Sequence, residues 1–538
     1  MSHRSFVHAF RAAGVAAACV FTAPAAHAQA PERWSVVLSR GQDTIAVERV
    51  RLAGDAATGD MLERVSGSRL SWQLGRDATG GRFMLAARGG QDAPNAPPRQ
   101  RVDVTFTGDS AVGVVTTGTS APITRRAAAK PGAVPFFNPS MILTELAVRR
   151  AVGGGKREGI APLFLLNGGA AELRITRVGD DSLVVALAGI DIRMRTDADG
   201  RFLGGTIPAQ GLTITRGAWL DDAALNVPKP DYSPPAGAPY TAEEVRVPTG
   251  RGYELVGTLT KPAGATGKLA VAVTSTGSGP QDRDEGIQAF GDYRLFRWVA
   301  DTLGRRGIAV LRLDDRGTGA SGGDFAMATT ADFADDVRSA LAWLRARGDV
   351  DASKLFVVGH SEGGLVAPMV AATDPTLAGI VLIAGPAQTG RTILNFQLRN
   401  GILRDSAQTG AKRDSALARV PAMLDSVLTA SPWMTFFGNH DPIATAKKVR
   451  VPVLILQAGT DQQVTPDQAE ALAVAMRASG NRAVTVRLFP ETNHLMVADP
   501  SGFPGGYAKL PSMAVRPEVL GALADWMAVR AGRPTPLP

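Results

Sequence analysis

Two patterns of apolar and polar positions divide this chain. From residue 31 to about 225, short segments alternate apolar and polar side chains, the period of a strand with one buried face. They include Thr44-Ile45-Ala46-Val47, Val102-Asp103-Val104-Thr105-Phe106, Leu183 to Leu187, Ile190-Asp191-Ile192-Arg193-Met194 and Leu212-Thr213-Ile214-Thr215. Turn residues such as Asp180-Asp181 and Asp197-Ala198-Asp199-Gly200 separate them. One helix is expected over Met141 to Val152. This predicts an antiparallel β-rich domain over residues 29–226 with one face buried.

The pattern changes at about residue 241. Strand candidates are Tyr253 to Thr260, Leu269 to Thr274, Ile308 to Leu313, Leu355 to Gly359, Gly379 to Ile383, Val453 to Gln457 and Val484 to Phe489. Several are continuous apolar runs, which suit a parallel sheet covered on both faces. Helices are expected between them. Phe333, Val337, Leu341 and Leu344 recur at helical spacing and form a core stripe. Strands alternating with helices predict one α/β domain over 241–538. The Pro-rich stretch Val227-Pro228-Lys229-Pro230-Asp231-Tyr232-Ser233-Pro234-Pro235 marks a linker, 227–240. Residues 386–450 interrupt the alternation with helical spacings, as in Leu417, Val420, Leu424 and Val427.

Composition narrows the chemistry. Of 538 residues, 45% are hydrophobic and 20% charged, which suits a globular chain, and no internal repeat is visible. Residues 1–28 read as a secretory signal: Arg4 and Arg11, an apolar core from Ala12 to Phe21, then Ala26-His27-Ala28 as a small-x-small cleavage site. The expected location is therefore periplasmic or extracellular. No later run is long and apolar enough to suggest stable membrane insertion. Cys19 is the only cysteine, and cleavage would remove it, which excludes disulfides and thiolate chemistry. His360, His440 and His494 are the histidines that would remain. The net charge of +8, with no Lys/Arg-rich run interleaved with aromatics, argues against a nucleic-acid partner.

The stretch Gly359-His360-Ser361-Glu362-Gly363 closes the apolar run Leu355-Phe356-Val357-Val358 and opens a helix expected over Gly364 to Ala372. Strand, sharp turn and helix with serine at the apex is the form of a nucleophile elbow. Side chains two residues either side of the serine would collide there, and Gly359 and Gly363 carry none. A serine nucleophile needs a base, and the base an orienting acid. In α/β-hydrolases these follow in the order Ser, Asp or Glu, His. Asp461 lies just past the apolar strand Val453 to Gln457, and His494 follows the strand Val484 to Phe489. Ser361, Asp461 and His494 therefore form the candidate triad. His360 cannot reach its neighbour's hydroxyl in base geometry. His440 precedes the acid's strand, and Asp441 and Asp467 do not follow strand ends. The loop Ser275-Thr276-Gly277-Ser278-Gly279-Pro280 resembles the His-Gly-x-Gly oxyanion loop of many hydrolases, with Thr276 in place of His. The backbone N–H groups of Ser278 and Glu362 are then the candidate oxyanion donors.

Gly277-Ser278-Gly279-Pro280-Gln281-Asp282-Arg283-Asp284-Glu285 resembles the signature of a bacterial α/β-hydrolase esterase group, often described by its similarity to serine aminopeptidases or prolyl oligopeptidases. Asp314 to Ser321, Gly459 to Val464 and Asn493-His494-Leu495 resemble that group's loop after the fourth strand and its acid and base loops. The resemblance covers about residues 241 to 531. It implies the α/β-hydrolase fold: a mostly parallel eight-stranded sheet with helices on both faces and a helical cap, here about 386–450. It also implies carboxylesterase activity on a small-molecule ester, without metal or organic cofactor. Asp282, Arg283 and Arg316 are expected to brace the loops around the site. Trp433, Phe436 and Phe437 either line an acyl pocket or form the core of the cap. The competing readings are a serine aminopeptidase or peptidase with the same triad, and an exported binding protein whose hydrolase domain is inactive.

Overall fold

The computed structural model describes residues 31–532, apart from positions 42, 55, 65–66, 78–79, 91, 93–95, 118–120, 153–155, 167–168, 188–189, 198–199, 227–229, 288–289, 291–292 and 406–408. The expected signal segment, 1–28, and the start of the linker lie outside the described residues.

The first unit opens with β1 (Glu32–Arg40), β2 (Asp43–Ala53), β3 (Ala56–Glu63), β4 (Ser68–Asp77) and β5 (Gly80–Gly89). It continues with β6 (Gln100–Thr107), β7 (Ser110–Thr117), β8 (Ile123–Ala128), β9 (Val134–Phe136) and α1 (Met141–Val152). Then come β10 (Glu158–Leu165), β11 (Ala170–Arg177), β12 (Ser182–Leu187), β13 (Ile190–Thr196), β14 (Phe202–Ile207) and β15 (Leu212–Gly217). Among the described residues these strands form one 15-stranded sheet, ordered β8 to β1, then β15 to β9. Neighbours are antiparallel except β9 with β10.

The alternating pattern buries one face, as expected, but that face is curled. The two edge strands, β8 and β9, are joined by only residues 129–133, which can span at most roughly 20 Å. The edges therefore approach each other, and α1 fills the interior. Ile142, Leu143, Ala147 and Val148 of α1 share one core with Val50, Trp72, Phe83, Val104, Ile175, Val185 and Phe202. The sheet is tightly fitted where its largest side chain lies. Gly59 faces Trp72 across β3 and β4, and a Cβ there would lie 2.2 Å from the indole. Glu48 of β2 meets the N-terminus of α1. Its carboxyl accepts from Ser140 Oγ (2.7 Å), the Met141 and Ile142 N–H groups (3.0 and 3.1 Å) and Trp72 Nε1 (3.2 Å). A carboxyl from the sheet thus satisfies donors that the first turn of the helix leaves open.

The second unit comprises β16 (Tyr240–Pro248), β17 (Glu254–Pro262), β18 (Leu269–Ser275), α2 (Leu295–Arg305), β19 (Ala309–Leu313), α3 (Thr330–Arg345) and β20 (Val350–His360). After these come α4 (Gly363–Ala371), β21 (Gly379–Ile383), four helices α5 (Gly390–Arg404), α6 (Gly410–Leu428), α7 (Pro432–Asn439) and α8 (Pro442–Ala446), then β22 (Val453–Ala458), α9 (Asp467–Ala478), β23 (Val484–Phe489) and α10 (Pro517–Arg530). The sheet order is β16-β17-β19-β18-β20-β21-β22-β23. β17 runs antiparallel to both its neighbours, and the other pairs are parallel. Its apolar runs bury alternate residues on opposite faces. Val271, Val273, Leu355 and Val357 pack with α3, α4 and α9, while Ala270, Ala272, Phe356 and Val358 pack with α2 and α10. The eighth strand, β16, is absent from the sequence-based candidates because it is a polar-alternating edge, Thr241-Ala242-Glu243-Glu244-Val245-Arg246-Val247.

The order reverses between β18 and β20, and such a switch point opens a crevice at the carboxyl ends of the strands. Ser275 of β18 pairs with Gly359 of β20. The loops leaving these two strands therefore start side by side.

The linker is seated rather than a free tether. Tyr232 donates to Asp282 Oδ2 at 3.2 Å and lies under the Arg283 guanidinium at 4.2 Å. The two units meet at Arg99. Held by Asp92 (2.8 and 2.9 Å), its guanidinium donates to the backbone carbonyls of Gly317 and Gly319.

Candidate active site

Ser361 stands at the turn between β20 and α4 with φ +52°. L-residues avoid this region by about 1–2 kcal/mol. The fold enforces it by close approach on both sides. A Cβ at Gly359 would lie 1.9 Å from the Gly363 carbonyl oxygen. One at Gly363 would lie 2.1 Å from the carbonyl oxygen of Ser275, at the end of β18. Gly363 is thus demanded by the neighbouring strand, a constraint the elbow's own sequence does not reveal. Among the described residues the non-glycine positions with positive φ are Glu285, Ser361, Ala384, Glu491 and Met496. Four lie at the site: Ser361 on its turn, Glu285 after the oxyanion loop, and Glu491 and Met496 on either side of His494, as expected where strain is kept for function.

His494 Nε2 lies 3.0 Å from Ser361 Oγ, and its Nδ1 lies 2.7 Å from Asp461 Oδ2. Asp461 Oδ1 accepts the N–H groups of Gln463 (2.7 Å) and Val464 (3.0 Å), so both carboxyl oxygens are occupied and the ring is fixed. The acid and base loops are stitched together through Thr460 Oγ1, whose single proton is shared between the carbonyls of Thr492 (2.8 Å) and Asp499 (2.6 Å). Asn493 Oδ1 accepts the N–H groups of Leu495 and Val497 and bends the chain around His494. The structure thus brings Ser361, Asp461 and His494 together in one hydrogen-bonded line.

Glu362 occupies the N-cap position of α4, with no side-chain bond to the helix's first turn. Ser278 is exposed at the mouth, next to Gly277, where a Cβ would lie 3.4 Å from Ser361 Cβ. The two N–H groups proposed for an oxyanion thus come from segments flanking the serine. The Glu362 side chain has a separate part. It is buried, and its Oε1 accepts from Thr330 Oγ1 and Trp433 Nε1, both at 2.7 Å. Burial raises its pKa above the ordinary carboxyl value.

The other candidates lie elsewhere. His440 ends α7, stacked on Phe436 at 5.5 Å, and both line a surface groove with Ala334, Arg338 and Met369. Asp441 caps α8 by accepting the Ala444 N–H at 3.0 Å. Asp467 is exposed at the start of α9. Phe437 is buried against Gly390 in the cap. Of the three cap aromatics, Trp433 alone is hydrogen-bonded to the elbow.

The bracing residues act on the loops. Arg283 forks onto Asp314 (3.0 and 2.9 Å) and reaches Thr258 Oγ1 at 2.9 Å. Arg316 Nε binds Asp336 Oδ2 at 2.7 Å, and Asp282 Oδ1 accepts the Gly286 N–H at 2.9 Å. Two residues near the site lie inside the motifs quoted from the sequence, Asp314 to Ser321 and Gly277 to Glu285, but the motifs alone assign them no role. Asp315 accepts from Thr276 Oγ1 (2.8 Å) and the Gln281 N–H (2.9 Å), holding the oxyanion loop at both ends. Burial drives its pKa well above the carboxylate range, and Glu285 and Glu362 add to the shift. The second is Glu285, which binds His360 Nδ1 at 2.6 Å and the Gly277 N–H at 3.0 Å.

Residues 291–501, which include Ser361, Asp461 and His494, match the family described as serine aminopeptidase, S33. The esterase EstD of Thermotoga maritima is 29% identical over 51% of this chain and 65% of its own length. A dipeptidyl aminopeptidase of Pseudoxanthomonas mexicana is 28% identical over 40% of this chain and 29% of its own. The chain therefore spans less than two thirds of either relative. An esterase of Pyrococcus furiosus aligns in structure over 47% of this chain and 84% of its own, at 17% identity and a TM-score of 0.36. The family match, the curated relatives and the strand order place the second unit in the α/β-hydrolase superfamily.

Proposed function

We propose that the protein is an exported serine hydrolase that cleaves carboxylic esters through an acyl-enzyme. The observation that carries this reading is the line Ser361 Oγ, His494 Nε2, His494 Nδ1, Asp461 Oδ2, with spacings of 3.0 and 2.7 Å at the two hydrogen bonds. His494 takes the Ser361 proton as the oxygen attacks the ester carbonyl carbon. Asp461 keeps Nδ1 protonated and stabilises the imidazolium. The Ser278 and Glu362 N–H groups receive the oxyanion. Collapse expels the alcohol, which leaves with the proton from His494. Water, deprotonated by His494, then attacks the acyl carbon and releases the acid and Ser361. The similarity to EstD supports an ester substrate.

A peptidase reading rests on the match to the serine aminopeptidase model and on the similarity to the dipeptidyl aminopeptidase. Export rests on the character of residues 1–28. The deciding experiment treats the protein with a fluorophosphonate and locates the adduct by mass spectrometry. Modification of Ser361 that is lost in His494→Ala supports the reading, and no modification of folded protein overturns it. Turnover of p-nitrophenyl esters beside aminoacyl anilides then separates esterase from peptidase. The N-terminal residue of protein recovered outside the cytoplasm tests cleavage after Ala28.

A further inference from the structure

We propose that Glu285 and His360 form a positioning pair that sets the candidate base and the oxyanion loop relative to Ser361. The inference rests on the serine-hydrolase reading above.

His360 precedes the nucleophile but turns its ring away from it, fully enclosed. Nε2 lies 3.0 Å from the main-chain carbonyl oxygen of His494, and Nδ1 lies 2.6 Å from Glu285 Oε1. A carbonyl only accepts, so Nε2 carries a proton. Glu285 Oε1 also accepts the Gly277 N–H at 3.0 Å, so one oxygen joins the oxyanion loop to Nδ1. The ring is thus hydrogen-bonded at both nitrogens. The charges facing it favour the protonated form. Burial, the largest influence, lowers the pKa of His360, but Glu285, the His494 carbonyl and Asp461 together outweigh it, so the pKa is raised. The other titratable group against it is the His494 ring, at 5.0 Å between centroids.

The pair has one bond to each part of the site. Glu285 holds the Gly277 N–H, one residue before the proposed oxyanion donor Ser278. A Cβ at Gly277 would lie 2.8 Å from Glu285 Oε1, so the carboxyl fills the space behind that loop. His360 holds the carbonyl of the base residue itself and is covalently next to Ser361. Glu285 keeps this position at φ +55°, a conformation that persists only where its surroundings impose it. Neither side chain reaches the reacting atoms, so their effect is on geometry.

The test uses the full chain with Glu285→Leu and Glu285→Gln, each checked for folding by its thermal transition. The readouts are kcat and KM on p-nitrophenyl acetate and the rate of fluorophosphonate addition to Ser361. In Glu285→Leu, kcat and the labelling rate should fall together by about a hundredfold, with KM changed by no more than about threefold. Glu285→Gln keeps an acceptor for the Gly277 N–H and should recover about tenfold of that loss. Nitrogen-15 NMR at pH 6, below the raised pKa, should show both His360 nitrogens protonated in the wild type and one in Glu285→Gln. Wild-type kcat in folded Glu285→Leu overturns the inference. If that variant does not fold, unchanged kcat in Glu285→Gln or a singly protonated wild-type His360 does so. Wild-type protein that resists labelling removes the serine-hydrolase reading instead, so the two failures are distinct.

Discussion

Trp433 of α7 donates its indole N–H to Glu362 Oε1 at 2.7 Å, which ties the helical cap to the residue after the candidate nucleophile. Both donors, Trp433 Nε1 and Thr330 Oγ1, go to Oε1, so an amide of the same shape that keeps its oxygen there should replace the carboxyl at little cost. Glu362→Gln is expected within about 0.5 kcal/mol of wild-type stability, whereas Trp433→Phe, which removes a donor and keeps the ring against Phe325, should cost about 1 kcal/mol. Urea denaturation measures both. A costly Glu362→Gln would show that the carboxyl is needed as an anion.

The backbone at Ser361 predicts a trade of stability against function. At φ +52°, Ser361→Gly should be more stable than Ser361→Ala by about 1 kcal/mol, while neither variant takes the fluorophosphonate. Paired thermal melts check this, and equal melting temperatures would mean that the elbow carries no strain.

Glu48 gives the first unit a pH dependence. Burial pushes its pKa from 4.5 up to about 7, against the lowering by Ser140, Ile142, Trp72 and Met141. The folded value lies above the unfolded one, so the native state holds the proton more tightly. The associated stability is complete below 4.5 and is lost as pH rises to about 7, a change of about 3 kcal/mol. Glu48→Gln should abolish this slope, so its cost relative to wild type, about 1–3 kcal/mol at pH 5 because its NH2 would face donors, should shrink by about 3 kcal/mol toward pH 8. Denaturation at pH 5 and pH 8 distinguishes slope from offset.

Arg99 links the first unit to the loop that carries Asp315. Loss of its bonds to the Gly317 and Gly319 carbonyls should loosen that loop by roughly 1 kcal/mol, or about fivefold in amide exchange over residues 316–321. Asp92→Ala should act in the same way, because Asp92 holds the guanidinium in place. The double variant should exchange no faster than Arg99→Ala alone. Additive effects would mean that the two residues act separately.

Local geometry leaves its period in the sequence, and what it recorded here was legible. The alternation in β6, β12, β13 and β15, the extent of α1, and the strand-turn-helix around Ser361 all follow from spacing within a few residues, whereas β2, read as alternating, buries Ala46 to Val50 on both faces. The order of Ser361, Asp461 and His494 after three strand ends identified which side chains could converge, and the break between β21 and β22 identified the cap. The polar edge β16 escaped because it has no apolar run. What only the tertiary structure decided are the contacts between distant segments. Whether an alternating sheet stays flat or curls around a helix depends on where its edges meet, and no single strand encodes that. Glu285 and His360 are 75 residues apart, and Trp433 and Glu362 are 71 apart. A buried polar group is stable only when its partner is present. That partner is chosen by the packing of the whole domain, so the sequence displays the charge while the fold determines what it holds.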